Sequence, residues 1–414
     1  MKNKLKIIFS SHKYAAVLFI TTVVYYIAFV GVGGPFLFKM SSDTHIFYFP
    51  DYSMGFCSKF LQGAIYNFFF DDLSIEAVSA FNIILFFVFL FLIILLLEFF
   101  IKSVKKENRA ICTFLFFIFL AGPSSFTMHY YMLGSMDSYW LYFAVLSLLF
   151  MADKRFYFMV VPMSVLSVLV NYGSLICFIP FIVILMIYKL SVSDDKREKT
   201  YLGAVAAFVI TVSVGLTIYF VMFENDNLTY SLREFTKIMA DRGFKSDPFY
   251  YKSTLYEVDY ENNIDYKYIN SFDSPAVKAF VYVFHRMLFT LRYLSVRELS
   301  EMFFFILPPV TAVLMYFAGR IKEELKKNKL RAFSFFCCFM MFFVTTVAGI
   351  LVSTDSIRFI AHSYTILLAS FFFIAYYERD TAIGFMRDKL SRIPVWVIAI
   401  YSVFYTFSFY DPVG

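Results

Sequence analysis

Apolar residues recur along this chain in long blocks that short polar segments separate. The blocks have lengths near the roughly 20 residues that a helix needs to cross a bilayer. They lie close to residues 14–33, 78–101, 110–124, 137–152, 156–171, 173–190, 202–223, 302–319, 332–352, 359–377 and 394–409. Because several blocks are short, the pattern predicts about eleven transmembrane helices, within a range of about 10 to 12.

The composition indicates the same class of protein. Apolar residues make up 60% of the chain, charged residues only 16%, and the mean hydropathy is +0.69. No soluble core of this size requires so many apolar residues. We therefore predict an all-α integral membrane fold, with residues 1–414 as one polytopic domain. We expect the lipid bilayer as a partner and no nucleic acid.

Lysine and arginine provide an independent test of the helix order. Besides the N-terminal leader, they concentrate in 102–109, 152–155, 196–199, 320–331 and 378–392, which are every second connection. Basic residues are enriched in cytoplasmic connections. The alternation predicts a cytoplasmic N-terminus, and an odd number of spans places the C-terminus outside.

Two connections on the external side are longer than turns, 34–77 and 224–300. In the second, Lys278, His285 and Arg292 are spaced seven apart and form one polar stripe. We interpret 276–296 as an interfacial amphipathic helix, since a twelfth span would carry these cations through hydrocarbon. They would bind either anionic headgroups or a substrate.

Titratable residues gather at the external ends of the predicted helices. They are His45, His129, His285, His362, Asp43, Asp51, Asp137 and Asp355. This distribution predicts a pocket at that face, whereas the middles of most spans carry almost no charge. Such a neutral interior disfavours an ion-coupled transporter.

The stretch SSDTHIFYFPD contains the first candidate site. Asp43, His45 and Asp51 could supply a general base or bind a divalent cation, in which case Asp43 and His45 would be ligands. The alternative is an ordinary solvated loop. No other cofactor is indicated.

Two further candidates lie at later helix ends. Asp137 in LGSMDSYW begins a helix, where it or Ser135 could act as an N-cap. In STDSIRFIAHSY, Asp355, Arg358 and His362 share one helix face. Arg358 could bind phosphate through its bidentate guanidinium or pair locally with Asp355.

External carboxylates, basic groups suited to phosphate and a neutral membrane interior together favour chemistry on a lipid-linked substrate. A phosphate at the membrane interface and a saccharide outside would meet these groups. Aromatic side chains in the loops could stack on the sugar, a carboxylate could deprotonate an acceptor hydroxyl, and Arg or Lys could stabilise the leaving phosphate.

The stretch PDYSMGFCSKFLQGAI resembles a pattern in bacterial multi-pass proteins of surface-polysaccharide clusters, an acidic-aromatic pair followed by G-F-x-x-R-x-L-x-G. Lys59 stands where that pattern has Arg. The LGSMD at 133–137 resembles its second part, although Asn171 and Tyr172 replace the usual His-Glu turn. The resemblance covers mainly the first 180 residues. It implies GT-C-like membrane glycosyltransferases, or polymerases of O-antigen or capsule repeat units.

From these observations we predict inverting glycosyl transfer on a polyprenyl-linked saccharide, at the external face of a bacterial plasma membrane. Asp43 is the preferred base and Asp51 the reserve. The predicted substrate contacts are Lys59, Asp137, Lys278, His285, Arg292, Arg358 and His362. Among them, Arg358, Lys278 and Arg292 would contact the diphosphate. The alternatives are a non-enzymatic transporter of lipid-linked saccharide or solute, and a structural membrane subunit.

Overall fold

A computed structural model describes residues 12–33, 40, 42–121, 133–223, 232–241, 271–274, 277, 280–281, 284, 306–352 and 356–407. At some helix ends, among them 27–33, 42–43, 349–352 and 356–359, it describes the backbone alone. Regular structure in the described part of the chain is helical, without strands.

The helices are α1 (Lys13–Gly33), α2 (Ser42–His45), α3 (Leu61–Phe69), α4 (Ile75–Ser103), α5 (Arg109–Ala121), α6 (Met136–Ala152), α7 (Val160–Val170), α8 (Ser174–Cys177), α9 (Ile179–Val192), α10 (Lys196–Phe223), α11 (Leu232–Asp241), α12 (Leu307–Glu324), α13 (Lys329–Val352), α14 (Ser356–Tyr377), α15 (Arg379–Leu390) and α16 (Val395–Phe407). Short 3₁₀ turns at Ile46–Tyr48, Tyr52–Met54, Lys106–Asn108 and Lys154–Met159 complete the described regular structure.

A helix lies at each apolar block that the sequence predicts. The block 173–190 is divided into α8 and α9 at Phe178, because Pro180 lacks a backbone N–H and fits only at the start of a new helix. The block 156–171 is likewise part 3₁₀ turn and part α7.

Five helical stretches among the described residues are long and apolar enough to cross a membrane, with α8 and α9 counted together as one stretch. They are Ile75–Ser103, Ser174–Val192, Lys196–Phe220, Lys329–Ala348 and Ile360–Tyr377. Met136–Ala152 and Lys13–Tyr26, the part of α1 whose side chains are described, are apolar but shorter. The chain is therefore an all-α protein of membrane character, while eleven spans and their orientation remain predictions.

Helix α9 lies at the centre of the bundle, where it contacts α6, α10, α13 and α14. Helix α14 is also an interior helix, since 83% of its most apolar stretch is buried, against 28% for α10 and α13. The outer faces of α10 and α13 therefore suit lipid, whereas α14 is surrounded by protein.

The basic connections predicted to be cytoplasmic, 102–109, 152–155, 196–199, 320–331 and 378–392, lie at the same ends of the helices. Several contacts join these connections or the residues next to them. Arg387 pairs with Glu107 at 3.2 Å and Arg320 with Glu378 at 2.9 Å. The Tyr157 hydroxyl donates to Glu198 at 2.5 Å, and the Lys189 ammonium lies 4.2 Å from the centre of the Tyr377 ring. We call this end of the molecule the basic side. Which face of a membrane it meets is a prediction.

The first predicted external segment, 34–77, is folded in its described part, 40 and 42–77. It contains α2, two 3₁₀ turns and α3, and it covers the ends of α4 and α7 that are opposite the basic side. Its residues 46–50 are fully buried. The sequence predicts a loop here, but not this compact fold.

Most of the second predicted external segment, 224–300, lies outside the described residues. Helix α11 falls within it. Of the predicted interfacial helix at 276–296, only Val277, Phe280, Val281 and Phe284 are described, and they are helical.

Candidate functional site

Asp137 and His362 meet at the ends of α6 and α14 that are opposite the basic side. Oδ1 of Asp137 lies 3.1 Å from Nε2 of His362, and the two side chains are only 4% and 1% exposed. The distance is that of an ion pair, although the ring lacks the alignment of a hydrogen bond. Ser135 is the N-cap of α6, but its side chain makes no capping hydrogen bond. Tertiary packing thus gives Asp137 a partner on another helix.

Aromatic rings enclose the imidazole of His362. The ring centroids of Phe178 and Trp140 are 5.6 Å and 6.0 Å from that of His362. The indole Nε1 of Trp140 donates to the carbonyls of Ser167 and Asn171, at 3.1 Å and 3.2 Å. These bonds fix Trp140, one turn along α6 from Asp137, against the end of α7.

A buried acid and a buried imidazole are costly to hold in an apolar bundle. Removing a charged group from water costs free energy unless the group is paired. Buried titratable groups are therefore rare in the cores of membrane bundles, and where they occur they are often part of a functional site. Because Asp137 and His362 are nearly inaccessible, they do not face an open pocket in this conformation. Their contact fastens α14 to α6.

A second polar cluster joins the folded first segment to the start of α6. The hydroxyl of Tyr48 lies 2.7 Å from the carbonyl of Gly134 and 2.8 Å from Oδ1 of Asn82, so its one proton is shared between two acceptors. Gln62 Nε2 also donates to the Gly134 carbonyl, at 2.8 Å. Burial raises the pKa of the Tyr48 phenol well above its ordinary value, so it remains a donor at neutral pH.

Gly134 is required at the centre of this cluster. Its φ of +74° is a left-handed conformation, and a Cβ there would lie 2.8 Å from the Tyr48 hydroxyl. The LGSMD stretch therefore approaches the first segment closely because it has no side chain at this position. The same contacts fix the start of α6, which carries Asp137 in its first turn.

The stretch that carries the family resemblance forms a tight turn before α3. Gly55 has a φ of +131° and Lys59 a φ of +74°, and Lys59 is the only non-glycine residue with a positive φ in the described ranges. The Lys59 N–H donates to the Leu169 carbonyl at 3.0 Å, which holds the turn against α7. A left-handed lysine is an energetically unfavourable conformation, and such backbone strain is concentrated at functional sites.

Asp51 acts as the N-cap of the 3₁₀ turn that follows it. Its Oδ1 accepts from the backbone N–H of Ser53 at 2.8 Å and from the Ser53 hydroxyl at 2.5 Å, while Oδ2 accepts from Asn67 at 3.2 Å. The half-buried carboxylate therefore has a structural role in this turn. Its predicted role as reserve base is compatible with these bonds but not required by them.

His45 is held within the same folded segment. Its Nε2–H donates to the Leu73 carbonyl at 2.7 Å, so this nitrogen is not directed at a metal. No group of three metal-binding side chains occurs among the residues that the structure describes. The side chain of Asp43, the other predicted ligand, is not described, so the predicted cation site remains a prediction.

Several predicted site residues cannot be placed. Arg358 and Asp43 lie on α14 and α2, but only their backbones are described. Outside the described residues are Lys278, His285, Arg292, His129 and Asp355. The predicted approach of a loop carboxylate to Arg358 and to the 278–292 stripe thus lies outside them as well.

The sequence analysis did not identify four residues that hold the site together. They are Tyr48, Gln62, Asn82 and Trp140. Asn82 could have been found from the sequence, because it is an amide side chain within the long apolar block of α4. Such a side chain requires a polar partner in a membrane bundle. Gln62 is the variable residue before the last glycine of the resembling stretch. Nothing in the spacing indicated that both side chains would meet the Gly134 region.

Comparison with known proteins adds no family. No family model, no curated protein and no solved structure matches this chain. We therefore infer its function from the residues and their geometry.

Proposed function

We propose that this chain is a membrane-embedded glycosyltransferase that acts on polyprenyl-linked saccharide at the external face of a bacterial plasma membrane. It would be a GT-C-like transferase or a repeat-unit polymerase of surface polysaccharide. The observation that carries the proposal is the polar assembly opposite the basic side. There, the folded first segment, which contains Asp43, Asp51 and Lys59, packs against α4, α7 and the start of α6, and the buried Asp137–His362 pair joins α6 to α14.

The reaction needs a base for the acceptor and cations for the leaving group. A carboxylate accepts the proton of the acceptor hydroxyl, and the freed oxygen bonds to the anomeric carbon. The bond from that carbon to the phosphate oxygen then breaks, with both electrons leaving on the phosphate. Lys and Arg stabilise the negative charge that develops there.

We assign the base to Asp43 and keep Asp51 in reserve. Three hydrogen bonds already occupy the oxygens of Asp51, which makes it less available to a hydroxyl proton. Lys59 is half-buried in a strained turn of the same segment, and we assign it to the phosphate together with Arg358, Lys278 and Arg292.

Asp137 and His362, predicted as substrate contacts, better fit a positioning role because they are buried against each other. The backbone of Arg358 lies one helical turn before His362 on α14. Fastening His362 to α6 therefore fixes the part of α14 that carries Arg358. In this way the pair would set the distance between the phosphate contact and the base.

Complementation of a deletion strain tests the proposal. Asp43→Asn retains the size of the side chain but removes its basicity, so we expect normal protein level and loss of surface glycan by orders of magnitude. Asp71→Asn, which changes an exposed carboxylate of the same segment, is the matched control and should retain activity. Full activity of both Asp43→Asn and Asp51→Asn would remove these two carboxylates from the chemistry and favour the transporter alternative.

The alternative function is a transporter of lipid-linked saccharide, and one feature favours it. The partly buried ion pairs at the basic side, centred on Glu378, would be an inner gate. Proteoliposomes containing the purified protein and lipid-linked saccharide separate the two functions. A transferase generates a longer or newly glycosylated lipid product, whereas a transporter only moves the substrate between leaflets.

A further inference from the structure

An apolar cavity of about 360 Å³ lies between α5, α12, α14, α15 and α16. Its walls include Phe114, Ile118, Pro308, Val313, Phe371 and Tyr401. Lys389, near the end of α15, is the only charged residue among the described residues that line it. The cavity is thus a hydrocarbon-like space with one cation at its rim.

The cavity extends from the basic side into the bundle. Lys389 belongs to α15, which packs against α5, α12 and α14 at that side. Pro308 is twelve residues before Arg320 on α12, which corresponds to about 18 Å along the helix. A bilayer has a hydrocarbon core of about 30 Å, so the cavity reaches through roughly one leaflet.

Lys389 is placed to bind an anion rather than to complete an internal ion pair. Its ammonium lies 5.3 Å from the centre of the Phe385 ring, and no carboxylate of the described residues pairs with it. The side chain is half-buried, with its stem along the apolar wall. A long cationic side chain in this position holds its charge at the membrane interface.

We propose that the cavity binds one acyl chain of an anionic phospholipid from the leaflet at the basic side, with the lipid phosphate at Lys389. The apolar walls match the chain, and the single cation matches a net negative headgroup. At about 360 Å³ the cavity lies at the lower end of the roughly 300–1,000 Å³ range of ligand pockets, a size that suits one acyl chain better than a whole lipid. Lys389 and the Lys59 turn lie at opposite ends of the bundle, which separates this lipid from the saccharide substrate. The inference does not depend on the proposed function.

Native mass spectrometry of the full-length protein tests the site. The protein would be extracted in mild detergent from vesicles of phosphatidylcholine with a minor fraction of phosphatidylglycerol. We expect wild type to retain one phosphatidylglycerol in preference to phosphatidylcholine. Lys389→Gln should lose this preference, whereas Lys389→Arg should keep it. Lys326→Gln, which changes an exposed lysine of the same side that does not line the cavity, is the control.

A second variant tests the cavity itself. Ala312→Phe fills the space between α12 and its neighbours, so it should abolish retention of the lipid while the unfolding temperature stays at or above that of wild type. Equal retention of both phospholipids by wild type, or an unchanged preference in Lys389→Gln, would overturn the proposal. Displacement of phosphatidylglycerol by an equal concentration of polyprenyl phosphate would overturn the assignment to a phospholipid.

Discussion

Single residues determine how closely the first segment approaches the helices. A Cβ on Gly63 would overlap the carbonyl oxygen of Pro50, and a backbone atom cannot move aside as a flexible side chain can. Gly55 and Gly134 have positive φ angles that other residues adopt only with strain. The glycines of the resembling stretches are therefore explained by backbone geometry, whatever the reaction is.

Gly63→Ala should lower stability by about 1–3 kcal/mol, because overpacking forces α3 away from Pro50. The measurement is the unfolding temperature of the purified protein in detergent. Gly215→Ala is the control, since a Cβ at that helical position meets no atom within 4 Å. We expect it to be neutral or to stabilise by up to about 1 kcal/mol. Equal effects of the two changes would contradict the close contact at Gly63.

Asp137 and His362 should be coupled energetically. Each of Asp137→Asn and His362→Gln should lower stability by about 1–3 kcal/mol, because the change disrupts a buried polar contact and leaves the partner buried without it. In the double variant we expect a coupling of about 0.5–3 kcal/mol, measured by a double-mutant cycle of unfolding free energies. Additive effects would mean that the 3.1 Å contact contributes nothing.

An exposed pair provides the comparison for that cycle. Arg155 pairs with Asp153 at 2.5 Å, and the two side chains are 75% and 37% exposed. The Arg155 guanidinium lowers the pKa of Asp153 to about 2. Water screens such a surface pair, so Asp153→Asn should change stability by less than about 0.5 kcal/mol near neutral pH.

At the scale of elements, a largely buried carboxylate joins helix ends at the basic side. Glu378 accepts from the hydroxyls of Tyr188 on α9 and Tyr316 on α12, both at 3.0 Å, and pairs with Arg320 at 2.9 Å. It directly follows α14, so one side chain connects three helices. These three helices are not consecutive in the chain, so no short connection holds their ends together, and this cluster does so instead.

Glu378→Gln should therefore loosen the bundle at the basic side. The amide keeps one acceptor but removes one of the carboxylates that pair with Arg320, and we expect a loss of about 1–3 kcal/mol in unfolding free energy. Glu323→Gln is the control, because Glu323 is 57% exposed although it also pairs with Arg320. If Glu378→Gln increases movement of lipid-linked saccharide between leaflets, the gate of the alternative function is favoured.

At the scale of the whole molecule, the prediction that remains open is orientation. Contacts join the basic connections at one end of the bundle, as expected if they share one side of the membrane. We expect reporter fusions at Lys105, Lys196 and Lys326 to be cytoplasmic, and fusions at Asn263 and the C-terminus to be external. The measurement is the activity of paired reporters that are active on one side only. A cytoplasmic C-terminus with an external Asn263 would mean an even number of spans.

The sequence alone determined where the helices lie, because this is a local property. An apolar block in a bilayer must satisfy its backbone hydrogen bonds internally, so it becomes a helix regardless of its neighbours. Asp137 and His362 were also identified as candidates, since titratable groups at helix ends are visible in the sequence. The division at Pro180 also follows from a local rule, although the block 173–190 was predicted as one span.

Only the tertiary structure decided which helices meet and which are enclosed. Lipid and protein interior are both apolar, so hydropathy does not distinguish the buried α14 from the exposed faces of α10 and α13. The contact between Asp137 and His362, and that of Tyr48 with Asn82, join residues far apart in the chain. Such contacts depend on how whole helices pack, and no spacing along the sequence encodes that packing.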